Sequence, residues 1–282
     1  VRFVATVFLW LVTTVALAVA VPTAWAQKNV VDENGYSTLA TSAAKDPPLQ
    51  KAMADELGTQ LKKLVAGTGY DVSTDLLQGV AGTYTASAAF PGQFAQANRI
   101  VHRWLFTDSV QQTDASGRWQ IDLSPMLSDA SFRQTLEQFA IEAPSKLEVP
   151  LTENVSDSVR PGQLRQLSTW GPWVSVGATI LTGVLALLTL ATARSRGKAL
   201  AALGISALLV GAAGWAGLEV ARRYVNTALD RTEGDIRQVA GAMVNHAEGS
   251  LHQWLSLTLA AGGVLVVFGV IVSMLGGLRR RD

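Results

Sequence analysis

The chain has 282 residues, of which 49% are hydrophobic and only 16% charged, with a mean hydropathy of +0.24. Ordinary soluble domains carry roughly a quarter charged residues, so this composition excludes one and reads as an integral membrane protein with a polar part. The net charge of +1 conceals a mildly acidic stretch, Gln27 to Thr169, with 12 Lys/Arg against 16 Asp/Glu, and the chain has no cysteine. The first feature gives no basic footprint for nucleic acid; the second removes disulfides, zinc–thiolate sites, haem attachment and thiol nucleophiles together.

The first element is apolar from Phe3 to Val21 and ends near Ala24 and Ala26, small residues at signal-peptidase spacing. It is longer than the ~7–15 residues of a signal-peptide core, so residues 1–26 read as a first transmembrane segment, with a cleaved signal peptide as the alternative. Residues 27–156 follow as an extracytoplasmic α+β domain. In "DPPLQKAMADELGTQLKKLVAG", Asp46 is a candidate N-cap and Pro47 a first helical residue, and Leu49, Met53, Leu57, Leu61 and Leu64 form one apolar face. "STDLLQGVAGTY" predicts a second helix and "FPGQFAQANRIVHRWLF" a third. Alternation at Trp119, Ile121 and Leu123, and again at Leu147, Val149 and Leu151, predicts two strands, the latter at an edge because of Pro150. Between them "SPMLSDASFRQTLEQFA" returns to helical spacing.

Residues 157–173 read as a linker, and three long apolar stretches follow: Val174 to Ala193, Ala199 to Val220 and Leu255 to Leu278. Each is long enough for ~30 Å of hydrocarbon. The turn between the first two, residues 194–198, carries Arg194, Arg196 and Lys198, and the tail carries Arg279, Arg280 and Arg281. The positive-inside rule puts both in the cytoplasm, and with them both termini of a four-span chain. Residues 222–254 then lie outside as a helical segment whose apolar stripe, Ile236, Val239, Ala240, Met243, Ala247 and Leu251, needs a partner. Trp170, Trp173 and Trp254 fall where interfacial anchors are expected. Gly211, Gly214 and Gly217 in one span, and Gly269, Ser273 and Gly277 in another, offer small-residue faces for helix packing, within the chain or between chains.

Candidate chemistry is sparse. His102 could serve as a general base with Asp108, but a single histidine beside Trp104 is more often a surface or packing residue. His246 and His252 are six apart, a spacing that does not place two ligands on one helical face. Ser195 and Lys198 match an S-x-x-K pattern in a turn too tight for a pocket. "DENGY" lacks the remaining oxygens of a calcium loop and reads as a turn at Asn34-Gly35, and Asn154 begins a common glycosylation tripeptide. No residue set points to a cofactor or metal. Apart from Glu219, no ionisable residue lies within a span, which disfavours ion-coupled transport.

The run "WAQKNVVDENGYSTLATSAAKDPPLQKAM", then "QANRIVHRWL", "GRWQIDLSPML" and the basic turn "RSRGKALAALG", resembles an uncharacterised actinobacterial family of multi-span membrane proteins. The resemblance implies a cell-envelope setting and supplies no activity. The expectation is therefore an α-helical transmembrane bundle of four spans with an extracytoplasmic α+β domain. It would act as a non-enzymatic accessory or assembly subunit, whose partners are the lipid bilayer and other membrane proteins of a complex. The alternative is an extracytoplasmic binding protein for a lipid or envelope precursor.

Overall fold

The computed structural model describes residues 2–66, 73–107, 120–122, 148–150, 162–230 and 235–278. In chain order the elements are α1 (Arg2–Ala26), a π-helical turn (Gln27–Val31), α2 (Glu33–Ala43), α3 (Pro47–Ala66), α4 (Thr74–Thr85) and α5 (Phe90–Phe106). They continue with β1 (Gln120–Asp122), β2 (Glu148–Pro150), α6 (Arg165–Thr192), α7 (Arg196–Leu229) and α8 (Asp235–Leu278). Among the described residues, four helices, α1 with its π turn, α6, α7 and α8, are long and apolar enough to cross a membrane.

The chain divides into two compact units. The membrane unit comprises the residues up to Val31, Ser168–Arg223 and those from Glu248 on. Between apolar helices in lipid there is no hydrophobic driving force, so close backbone approach and hydrogen bonds must hold them together. Both are present. A methyl group placed on Gly204 would lie 2.7 Å from the Gly262 carbonyl oxygen, and one on Gly262 would lie 2.8 Å from that of Gly204. Gly197 and Gly269 face each other in the same way, each blocked at 2.6 Å by the other's carbonyl oxygen. Glycines 197, 204 and 211 of α7 thus meet 269, 262 and Leu255 of α8 in antiparallel register at seven-residue steps, two helical turns each.

The first helix joins this bundle through polar contacts. The Trp10 indole N–H donates to the Ala202 carbonyl at 2.8 Å, the Thr14 and Ser206 hydroxyls are 2.7 Å apart, and those of Thr13 and Thr189 are 3.3 Å apart. Thr13, Thr189 and Ser206 are buried, and each also donates or shares a bond with a carbonyl one turn back on its own helix. Such interhelical bonds contribute on average about 0.6 kcal/mol each. Pro22 removes one donor from α1, and the helix passes without a break into the π turn at Gln27.

The polar unit comprises the described residues of Asp32–Leu167 and Tyr224–Ala247. Its core gathers Ala40, Ala43 and Ala44 with Leu49 of α3, Val80 and Tyr84 of α4, and Phe90, Phe94 and Ala95 of α5. Tyr84 and Phe90 meet edge-to-face at 5.7 Å, a favoured aromatic geometry. Val239, Ala242 and Met243 of α8 pack against the same core. Two positions of the apolar stripe predicted for residues 222–254, Val239 and Met243, are therefore covered from within the unit.

Two expectations are corrected. The α+β domain is not what the described residues form: they make a layer of helices, and the strands among them are one antiparallel pair of three residues each, with Ile121 opposite Val149. Three residues per strand bury too little to act as a layer, whereas five helices share the core. Asn34-Gly35 is likewise no free turn. The Asp32 carboxylate accepts the Gly35 N–H at 2.7 Å and caps α2, so both residues lie in its first turn. The helix predicted at "SPMLSDASFRQTLEQFA", Asp108 and Asn154 lie outside the described residues.

Candidate functional site

Helices α2 and α5 hold the richest polar arrangement. Arg103 grips Glu33 through both carboxylate oxygens, with Nη2 to Oε1 at 2.7 Å, Nε to each oxygen at 3.0 Å. One turn further along each helix, Arg99 Nε donates to Ser37 Oγ at 2.8 Å, and the Tyr36 hydroxyl donates to Asn98 Oδ1 at 3.1 Å. Positions 33 and 37 thus answer 103 and 99 in antiparallel steps of four, the spacing at which helical residues share a face. The Arg103 hydrogen bond holds the Glu33 carboxyl below its usual range, and burial pushes the Tyr36 hydroxyl upward.

His102 lies at the buried side of this ladder, 5% exposed. Its ring stacks on Phe106 with centroids 4.2 Å apart and planes at 14°, and Tyr36 leans on it at 5.2 Å. The ring lies buried between Phe106 of its own helix and Tyr36 of α2.

The remaining histidines are apart. His246 Nδ1 lies 2.6 Å from Asp46 Oδ2, tying α8 to the residue that precedes α3. Asp46 also begins that helix by accepting the Gln50 N–H on its carbonyl at 3.0 Å. His252 leans on Trp215 at 4.0 Å. No group of three or more potential ligands able to hold a metal ion occurs among the described residues.

The small residues singled out from sequence divide by environment. Gly211 and Gly214 back onto Leu259 and Leu255, Gly269 and Ser273 onto Gly197, all inside the chain, whereas nothing lies within 4 Å of a methyl placed on Gly217. Gly277 lies in the last turn of α8. Of the tryptophans, Trp170 and Trp173 on α6 are broadly exposed, and the Lys28 ammonium stands 5.7 Å from the Trp254 ring centre. Sequence reasoning missed Gly197, Gly204 and Gly262, whose signal was the seven-residue spacing rather than the four-residue one.

Comparison with protein-family models, with curated proteins and with solved structures found no match.

Proposed function

We propose that this protein is a non-enzymatic accessory or assembly subunit of a cell-envelope membrane complex, with its polar unit outside the cell and its spans packed against membrane partners. The observation that carries the reading is how the polar unit uses its reactive side chains. Glu33 pairs with Arg103 between α2 and α5, Asp46 at the start of α3 meets His246 of α8, and the His102 ring lies between Phe106 of its own helix and Tyr36 of α2. Charge and aromatic surface spent in this way give a rigid platform, which suits docking better than group transfer.

The basic residues at 194–198 support an orientation with that turn in the cytoplasm. The test is native isolation of the chromosomally tagged full chain in mild detergent, followed by mass spectrometry. The reading predicts one membrane complex at near-stoichiometric amount. Isolation of the chain alone, or with copies of itself only, would overturn it.

A further inference from the structure

The spans α7 and α8 carry apolar runs of similar length, residues 199–220 and 255–278, but the seam between them sets those runs out of level. A methyl placed on Gly197 meets Gly269 and Ser273, one on Gly204 meets Gly262 and Val266, and one on Gly211 meets Leu255 and Leu259. Each of these α7 glycines thus lies level with the point midway between two α8 residues one turn apart, near residues 271, 264 and 257. At the same step Val220 comes level with Glu248, and Ala213 with Leu255. The run on α8 therefore begins seven residues, or about 10 Å, nearer the basic turn at 194–198 than the point where the run on α7 ends. We infer that the membrane boundary crosses α8 at Glu248 and not at Leu255, so that Ser250, His252 and Gln253 lie inside the bilayer. This placement holds whether or not the chain docks on a partner.

The other two spans side with α7. Trp10 donates to Ala202 and Thr14 shares a bond with Ser206, so α1 runs parallel to α7 at a fixed step that brings Trp25 level with Gly217. The Trp25 indole N–H donates to Ser250 Oγ at 3.2 Å, which ties α8 to the same level. On α6, Gly171 packs against Gln27, and this brings the exposed Trp170 and Trp173 to that end of the bundle. With the Arg222–Glu248 ion pair, these tryptophans form one layer of aromatic and charged groups, the composition of a membrane interface. A boundary at Leu255 would lift the whole layer about 10 Å into water. At the opposite end it would draw Arg194, Arg196 and Lys198, level with residues 270–274 of α8, below the surface. Lys and Arg are among the costliest residues to place in hydrocarbon. Ser250 and His252 cost less, since the first is hydrogen-bonded to Trp25 and the ring of the second lies 4.0 Å from that of Trp215.

His252 is then an ionisable side chain within the hydrocarbon, on a helix whose apolar run alone leaves it in water. Such groups are rare in spans and mark functional positions. At the basic end the same offset carries the exposed Met274 and Leu275 out of the hydrocarbon.

The test uses nitroxide labels on the full chain in vesicles of phosphatidylethanolamine and phosphatidylglycerol. The chain has no cysteine, so one label is carried at a time. Asn245→Cys, Gln253→Cys, Val264→Cys and Met274→Cys all stand at exposed positions of α8. Relaxation of the label by oxygen, compared with relaxation by a water-soluble nickel chelate, reads the depth of each. Oxygen should dominate at 253 as it does at 264, and nickel should dominate at 274 as it does at 245. Gly249→Cys keeps Gln253 in place, and nothing lies within 4 Å of a methyl at that position, so this variant folds if any does. Its label should read between those at 245 and 264. A boundary at Leu255 shifts every reading by about 10 Å and reverses the order of 253 and 274. Nickel-dominated relaxation at 253, a label deeper at 274 than at 253, or one as wet at 249 as at 245 would overturn the inference.

Discussion

Glu33 illustrates how little a surface contact contributes and how it can still be read. Its carboxyl is held low chiefly by the Arg103 hydrogen bond, and the pair is partly solvated, with 57% of the Arg103 side chain and 32% of that of Glu33 exposed. Because the folded-state pKa lies below the unfolded one, the stabilisation is fully present above the usual carboxylate value, about 4.3, and disappears as pH falls through the lower folded value. Solvent screening limits it to about 0.5 kcal/mol. Glu33→Gln should therefore lower stability by that amount at pH 7, and the difference from the parent chain should shrink toward zero near pH 3. Chemical denaturation at the two pH values reads it directly, and a difference that persisted at pH 3 would assign the contact to packing instead.

At the scale of elements, the α7–α8 seam rests on glycines that have no substitute. Adjacent residues make the contrast. A methyl on Gly262 meets the Gly204 carbonyl oxygen at 2.8 Å and the Leu208 N–H nitrogen at 2.9 Å, whereas one on Gly263 meets nothing within 4 Å. Gly262→Ala should destabilise the bundle by about 1–3 kcal/mol, the usual cost of overpacking. Gly263→Ala should stay within about 0.5 kcal/mol. Unfolding in mixed detergent micelles compares the two, and equal effects would contradict the seam. The same elements show what was legible in sequence. Helix α3 was readable because Leu49, Met53, Leu57 and Leu61 recur at helical spacing after a start marked by Asp46 and Pro47. Helix α2 was not, since Leu39 is the one large apolar residue of its buried face and Ser37, Ala40 and Ala43 complete it with small side chains whose burial no hydrophobic pattern announces. The two predicted strands are present as β1 and β2, but the α+β domain was over-read because alternation reports a local extended run and says nothing of how many strands pair with it. The sequence placed His102 beside Trp104, but its stacking partner Phe106 became visible only once the turn of α5 brought positions four apart together.

For the molecule as a whole, the account depends on sidedness. The polar unit draws on Asp32–Leu167 and Tyr224–Ala247, segments separated in sequence by two spans, and both must therefore emerge on one face of the membrane. A shared core containing Leu49, Phe90 and Met243 requires it. The chain has no cysteine, so single cysteines give an unambiguous reading. We would place them at the exposed positions Lys51, Asn226 and Lys198 and treat intact cells with a membrane-impermeant maleimide. The account predicts labelling of Lys51→Cys and Asn226→Cys in intact cells, and of Lys198→Cys only after permeabilisation. Labelling of Lys51→Cys and Asn226→Cys from opposite sides, or of Lys198→Cys from the same side as Lys51→Cys, would contradict it.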